Sequence, residues 1–116
     1  HLYSRTRDFH VQFGNAFFSC DCLLLAPIYP AREEPLPGVS SKLIADAAIQ
    51  SGHHNVVLIE NNADIVPKTL SLLEEDDILI TMGAGNVWQY GEEILAELKK
   101  SVDKNTKPKK VSDLET

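Results

Sequence analysis

CDCLLLAPI, residues 20–28, is almost unbroken apolar sequence. A run this short, bounded on its far side by proline, reads as a strand buried on both faces, the habit of parallel sheets covered by helices. Working outward, residues 4–18 place Phe9, Phe13, Ala16 and Phe17 at three- and four-residue spacing, an amphipathic helix interrupted by Gly14, with Ser4 as its expected N-cap. Beyond the strand, residues 29–38 hold three prolines and must be a loop. Ser40 or Ser41 then opens a second helix with Leu43, Ile44, Ala47 and Ala48 on its core face and Gly52 as C-cap. NVVLIE (55–60) is a second strand, residues 62–73 a third helix with Pro67 near its first turn, and DILITM (77–82) a third strand. GAGN (83–86) turns into a last helix that ends near Lys100.

Helix, then strand–helix three times over, implies an α/β fold: a Rossmann-like, mostly parallel sheet with helices on both faces. Three strands make a small sheet, so the expected fold is truncated on its N-terminal side, with further strands preceding His1. The expected division is one domain over residues 1–100 and a disordered charged tail over 101–116.

Composition narrows the function classes. The formal net charge is -6, against the clustered basic surface a phosphate-backbone binder requires. Lys104, Lys107, Lys109 and Lys110 fall in the expected tail, so nucleic acid is not an expected partner. No apolar run reaches the length of a membrane span and no signal peptide opens the chain, which makes the cytoplasm the expected compartment and a membrane partner unexpected. Cys20 and Cys22, two apart, suit neither an easy disulfide nor a zinc site and read as buried small hydrophobes. His53 and His54, beside Gly52, read as exposed helix-capping residues; no metal site is expected.

Ligands of open α/β sheets bind beyond the carboxyl ends of the strands. That rule selects residues 1–7, 29–38, 61–64 and 83–86. HLYSRTR sets His1, Arg5 and Arg7 at a helix N-terminus, where free amides favour an anion and Arg5 could hold a carboxylate through two parallel bonds. The same residues also suit an ordinary solvated helix start. YPAREEPLPG is stiffened by proline and carries Arg32, Glu33 and Glu34; it suits a binding loop or a rigid connector. Gly83, Gly85 and Asn86 form a phosphate-side or interface turn, or a tight turn that lets a helix pack; Trp88 stands where a dinucleotide fingerprint needs a third glycine. No Ser-His-Asp or Cys-His constellation assembles from spacing, so no catalytic residue is assigned.

Three segments in order carry a family resemblance. HLYSRTRDF resembles the H-x-[YF]-[ST]-R-T-R-D segment in the C-terminal domain of UDP-N-acetylmuramate–L-alanine ligases, members of the Mur ligase family. IYPAREEPLPGV is similar to that family's Y-P-A-x-E-x-P-I-x-G loop, and DILITMGAGNV to its closing strand and turn. The resemblance spans about residues 1–100. It implies a three-domain enzyme of peptidoglycan synthesis in which ATP, with Mg2+, phosphorylates the lactyl carboxylate of UDP-N-acetylmuramate and the amine of L-alanine attacks the acyl phosphate. It further implies that this domain brings the amino acid, with a central ATP-binding domain of the same chain as its partner. His1 and Arg5 fall on positions lining the alanine side, Arg5 as carboxylate clamp and His1 as orienting group. Residues 29–33 correspond to the loop that helps choose the amino acid in sister ligases, which adds Arg32.

The chain departs from the family where Leu2 replaces a common Arg and where Ala26-Pro27 replaces an acidic residue before the loop. G-x-x-G-K-[ST] and the HHP segment are both missing, so ATP and Mg2+ are expected to bind mainly elsewhere and the chain is expected to be inactive alone. Competing readings are a stand-alone α/β small-molecule binding module and the related murein-peptide recycling ligase. A receiver-like domain is disfavoured by glycine in place of lysine after the late strand, and half a dehydrogenase by the broken glycine pattern.

Overall fold

The structure, a computed structural model, describes residues 2–104 and 114–115, of which 103–104 and 114–115 as backbone alone. Two compact units divide the chain, 1–62 and 63–116.

The first unit opens with α1 (Tyr3–Ala16) and continues through β1 (Leu23–Leu25), α2 (Lys42–Gln50) and β2 (Val56–Leu58). β1 and β2 pair in parallel, Leu23 opposite Val56 and Leu25 opposite Leu58. The ladder extends by the Leu23 amide donating to the Asn55 carbonyl and the Ile59 amide to that of Leu25, each at 2.9 Å. The expected strand over 20–28 is therefore strand only at its centre. Cys20 lies exposed in the turn before it and Cys22 is half-buried, which corrects the reading of both as buried.

Leu23, Leu25, Ile44, Ala45 and Ala48 form the core, with Phe13, Phe17, Val56 and Leu58 packed against it. Burial of a side chain such as Ile44 contributes about 1.5–3 kcal/mol. The buried positions of α1 are Thr6 and Gly14, whereas Phe9 is 44% exposed, so the apolar stripe read from sequence is only partly the core face. A Cβ on Gly14 would lie 2.6 Å from the Ala47 Cβ and 2.7 Å from the Ala48 amide nitrogen. Gly14 thus lets α1 and α2 approach closely, and the lost helix propensity is offset by that packing.

α2 starts as its serines suggested, with each doing a separate task. The Ser40 Oγ accepts from the Lys42 amide at 3.2 Å, while the buried Ser41 hydroxyl donates to the Ala26 carbonyl and ties the helix to the end of β1. At its other end Gly52, with φ +102, donates to Ile49 O and the His53 amide to Ala48 O, both at 3.0 Å. That pair of bonds is a Schellman cap, which satisfies carbonyls a helix end leaves open.

The second unit contains a 3-10 turn (Asn62–Asp64, shared with the first), α3 (Ile65–Leu72), β3 (Leu79–Ile80), α4 (Val87–Lys104) and β4 (Leu114–Glu115). α3 contacts α4, burying Ile65 and Thr69; α4 buries Gly91 and Ile94 and half-buries Leu95 and Leu98, spacings of three, four and seven. A Cβ on Gly91 would meet the Thr81 methyl at 3.1 Å, so this glycine sets how closely α4 lies on the strand segment. β3 pairs in parallel with β4. Parallel pairing of short strands connected through helices holds to the α/β class, but the described strands form two two-stranded sheets, not one of three. Ile78, Ile80 and Met82 are 69%, 58% and 69% exposed, so alternate residues of the third strand leave one face open. α4 runs four residues past its expected end, taking in the first of the expected tail; residues 105–113 and 116 lie outside the described residues.

Candidate functional site

Two of the four segments selected by sequence meet. α1 begins one residue before Ser4, with Leu2 at the capping position and no side-chain cap, so Ser4 is inside the first turn and is not the N-cap. Its backbone N–H donates to one carboxylate oxygen of Glu33 at 3.2 Å, and its hydroxyl donates to the other at 2.5 Å. These bonds, chiefly that of the Ser4 hydroxyl, hold the Glu33 carboxyl below the usual carboxylate range, with the Arg7 guanidinium acting in the same sense. At the start of α1, where free amides favour an anion, the group that Ser4 meets is a carboxylate of the chain itself.

Loop 29–38 presents Glu33 through a tight turn. The Glu33 amide donates to the Pro30 carbonyl at 2.9 Å, and Ala31 takes φ +54, the left-handed region uncommon for a residue with a Cβ. Beneath the contact, Thr6 is completely buried; its amide and hydroxyl both donate to the Leu2 carbonyl, at 2.9 and 2.8 Å. The first turn of α1 is thereby fixed from inside while the Ser4 amide meets Glu33.

Arg5 is exposed and has no hydrogen-bond or ion-pair partner among the described residues, and Arg32 is exposed as well. Arg7, which sequence reading placed only in the background, pairs with Asp8 at 2.9 Å, a bond that raises the Arg7 pKa and lowers that of Asp8. His1 lies outside the described residues. Gly83 and Asn86 are exposed and Gly85 half-buried in the turn before α4, within the second unit; the Gln89 amide donates to the Asn86 carbonyl at 3.0 Å and starts the helix. Glu33 and Ser4 are the pair that sequence reading missed: both stood in the selected segments, but 29 residues apart with nothing to show they meet.

His53 needs correction. It is buried, not exposed: Nδ1 accepts from the Asn55 amide at 3.1 Å and Nε2 donates to the Cys20 carbonyl at 2.7 Å. An N–H can only donate and a carbonyl only accept, so the ring is the neutral Nε2–H tautomer. The Cys20 Sγ is 3.5 Å from the same nitrogen, but its thiol donates to the Phe17 carbonyl at 3.1 Å and desolvation pushes its pKa up. With the imidazole already protonated on that side and the thiol held neutral, this pair lacks the basic nitrogen and thiolate of a Cys–His nucleophile. It joins the chain entering β1 to that entering β2.

No protein-family model matches the chain. Curated relatives do. The UDP-N-acetylmuramate–L-alanine ligase of Syntrophobacter fumaroxidans is 40% identical over 101 residues, 87% of this chain and 22% of that protein. Those of Desulfosudis oleivorans and Geobacter sulfurreducens are 41% and 37% identical over 83% and 87% of this chain, and 21% and 22% of their own lengths. The chain spans about a fifth of the length of these relatives, and within that fifth the likeness is nearly continuous. On that likeness, carried through a chain whose first two motif segments are hydrogen-bonded to each other, this chain belongs to the UDP-N-acetylmuramate–L-alanine ligase family.

Proposed function

We propose that this chain is part of the C-terminal domain of an ATP-dependent ligase that joins L-alanine to UDP-N-acetylmuramate in peptidoglycan synthesis, and that it supplies the amino-acid side of the site. The observation that carries the reading is the bonding of Ser4 to Glu33, which joins the HLYSRTR segment to the YPAREE loop and sets Arg5 and Arg32 each next to one partner of the contact. Arg5, exposed and without an ion-pair partner among the described residues, is the carboxylate clamp: its planar fork matches a carboxylate through two parallel bonds. Arg32 is the second cation and His1 the orienting group. The Gly83, Gly85 and Asn86 turn is the side toward phosphate or a neighbouring domain. These elements belong, in this reading, to a wider Rossmann-like sheet of the complete enzyme, which works in the cytoplasm with its central ATP-binding domain as partner.

ATP and Mg2+ are assigned to the rest of the enzyme, where ATP supplies the activation of the sugar's carboxylate. The described residues contain no grouping of three His, Cys, Asp or Glu side chains that would hold a metal ion, and the sequence contains no lysine-bearing phosphate loop, so neither group is given a ligand here. The chain's own part is to bind and orient the amine donor.

Phosphate release tests the reading. Full-length enzyme carrying this chain is expected to release phosphate from ATP only when UDP-N-acetylmuramate and L-alanine are both present, and the 116-residue chain alone to release none. Turnover by the purified chain, or full-length turnover indifferent to L-alanine, overturns it.

A further inference from the structure

We propose that Glu33 is a positioning residue: its carboxylate latches loop 29–38 to the first turn of α1 and thereby sets Arg5 and Arg32 for the carboxylate of the amino-acid substrate. The inference rests on the function proposed above and adds to it a residue that neither touches the substrate nor reacts.

Two donors of one residue converge on this side chain: the Ser4 amide and the Ser4 hydroxyl. Charge-assisted bonds of this kind are about twice as strong as neutral ones, and together they restrain both oxygens. Arg7, one turn further along α1, adds its positive charge on the same side. On the loop side, the bond from the Glu33 amide to Pro30 and the left-handed Ala31 define the turn from which the carboxylate projects. Holding Ala31 in that region costs about 1 kcal/mol or more, and the latch is what the loop gains from adopting it.

A substrate carboxylate cannot use the Ser4 amide while Glu33 occupies it. It is left to the side chains beside the latch. Arg5 follows Ser4 by one residue, about 100° round the helix, and Arg32 precedes Glu33. Opening the latch frees loop 29–38 and with it Arg32, so the cost falls on capture of the amino acid and spares the other two substrates.

The experiment is steady-state kinetics on the full-length ligase carrying this chain, comparing wild type with Glu33→Ala, Glu33→Gln, Ser4→Ala and the Ser4→Ala/Glu33→Ala pair. Glu33→Ala is expected to raise KM for L-alanine by about tenfold, equivalent to about 1.4 kcal/mol, with KM for ATP and for UDP-N-acetylmuramate unmoved. Glu33→Gln, which keeps one acceptor oxygen, is expected to recover part of the loss. Ser4→Ala is expected to shift KM for L-alanine in the same direction by less, and the double variant to be no worse than Glu33→Ala, because both act through one contact. Where Glu33→Ala does not accumulate as folded enzyme, Ser4→Ala carries the test. An unchanged KM for L-alanine in both single variants, or an equal loss for all three substrates, overturns the latch. Wild-type turnover without any dependence on L-alanine overturns the function on which the latch rests.

Discussion

Glu33 and Ser4, 29 residues apart, are joined through both oxygens of one carboxylate, to the backbone amide and the hydroxyl of the same serine. The contact is charge-assisted, so it depends on Glu33 remaining ionised. Its pKa is lowered in the folded chain, first by the Ser4 hydroxyl. A carboxylate with a depressed folded pKa contributes stability that is fully present above its unfolded value and is lost as pH falls through the folded one. The stability difference between wild type and Glu33→Gln is therefore expected to be constant at neutral pH and to vanish on acidification through the ordinary carboxylate range and below. Urea unfolding at a series of pH values checks it; a difference that persists in strong acid would show that the carboxylate's charge is not what matters.

A second prediction concerns Gly14. Helix propensity alone favours Gly14→Ala by about 1 kcal/mol. The added Cβ would meet Ala47 Cβ at 2.6 Å, Ala48 N at 2.7 Å and Ala47 C at 2.8 Å, two of the three being backbone that cannot swing aside. Overpacking of this kind costs about 1–3 kcal/mol, so the net change is expected to be destabilising. Adding Ala47→Gly removes only the side-chain clash and should recover part of the loss. Thermal unfolding of the two variants decides the matter, and a Gly14→Ala protein more stable than wild type would mean the helices stand further apart.

How far these relationships could be read beforehand follows from their range along the chain. The cap at Gly52 was legible because a Schellman motif is local: glycine, helix end and following bonds lie within six residues. The start of α3 around Pro67 was legible for the same reason. Ser4 was misplaced by two helical positions because a serine near a helix start fits a cap equally well, and only the distant Glu33 shows what its hydroxyl does. Phe9 satisfied the helical period yet is exposed, because the face of α1 that approaches α2 is set by Gly14, a small residue that a hydrophobicity pattern ignores. The burial of His53 was hidden likewise: its partners Cys20 and Asn55 belong to the approaches of two different strands. Of the candidate site, the two segments were found from motif and position, but the bond between them was not.

His53→Ala is expected to destabilise the first unit. It strands the Cys20 carbonyl and the Asn55 amide and leaves a cavity beside them. Cys20 and Asn55 are exposed residues that water can reach, so each lost bond costs its net worth of about 0.5–1.5 kcal/mol and a total loss of about 1–3 kcal/mol is expected. Imidazole nitrogen shifts should report a proton on Nε2 and none on Nδ1; the opposite tautomer would break the assignment of donor and acceptor.

The sharpest distinction between a clamp and a surface charge lies at Arg5. Its side chain is exposed and has no ion-pair partner among the described residues, so truncating it should leave the stability of the chain within about 0.5 kcal/mol. If it holds the amino-acid carboxylate in the closed enzyme, Arg5→Ala in full-length protein should weaken use of L-alanine by roughly 2–5 kcal/mol, the cost of losing one partner of a desolvated charge pair. KM for ATP should hold. Arg5→Lys separates charge from shape: a lysine restores the positive charge but not the two parallel donors, so a bidentate clamp predicts incomplete recovery and a simple electrostatic role predicts nearly full recovery. Measured kcat/KM for L-alanine across the two variants gives the answer. Loss of stability with unchanged alanine kinetics would move Arg5 from the site to the scaffold and leave Arg32 as the cation to test.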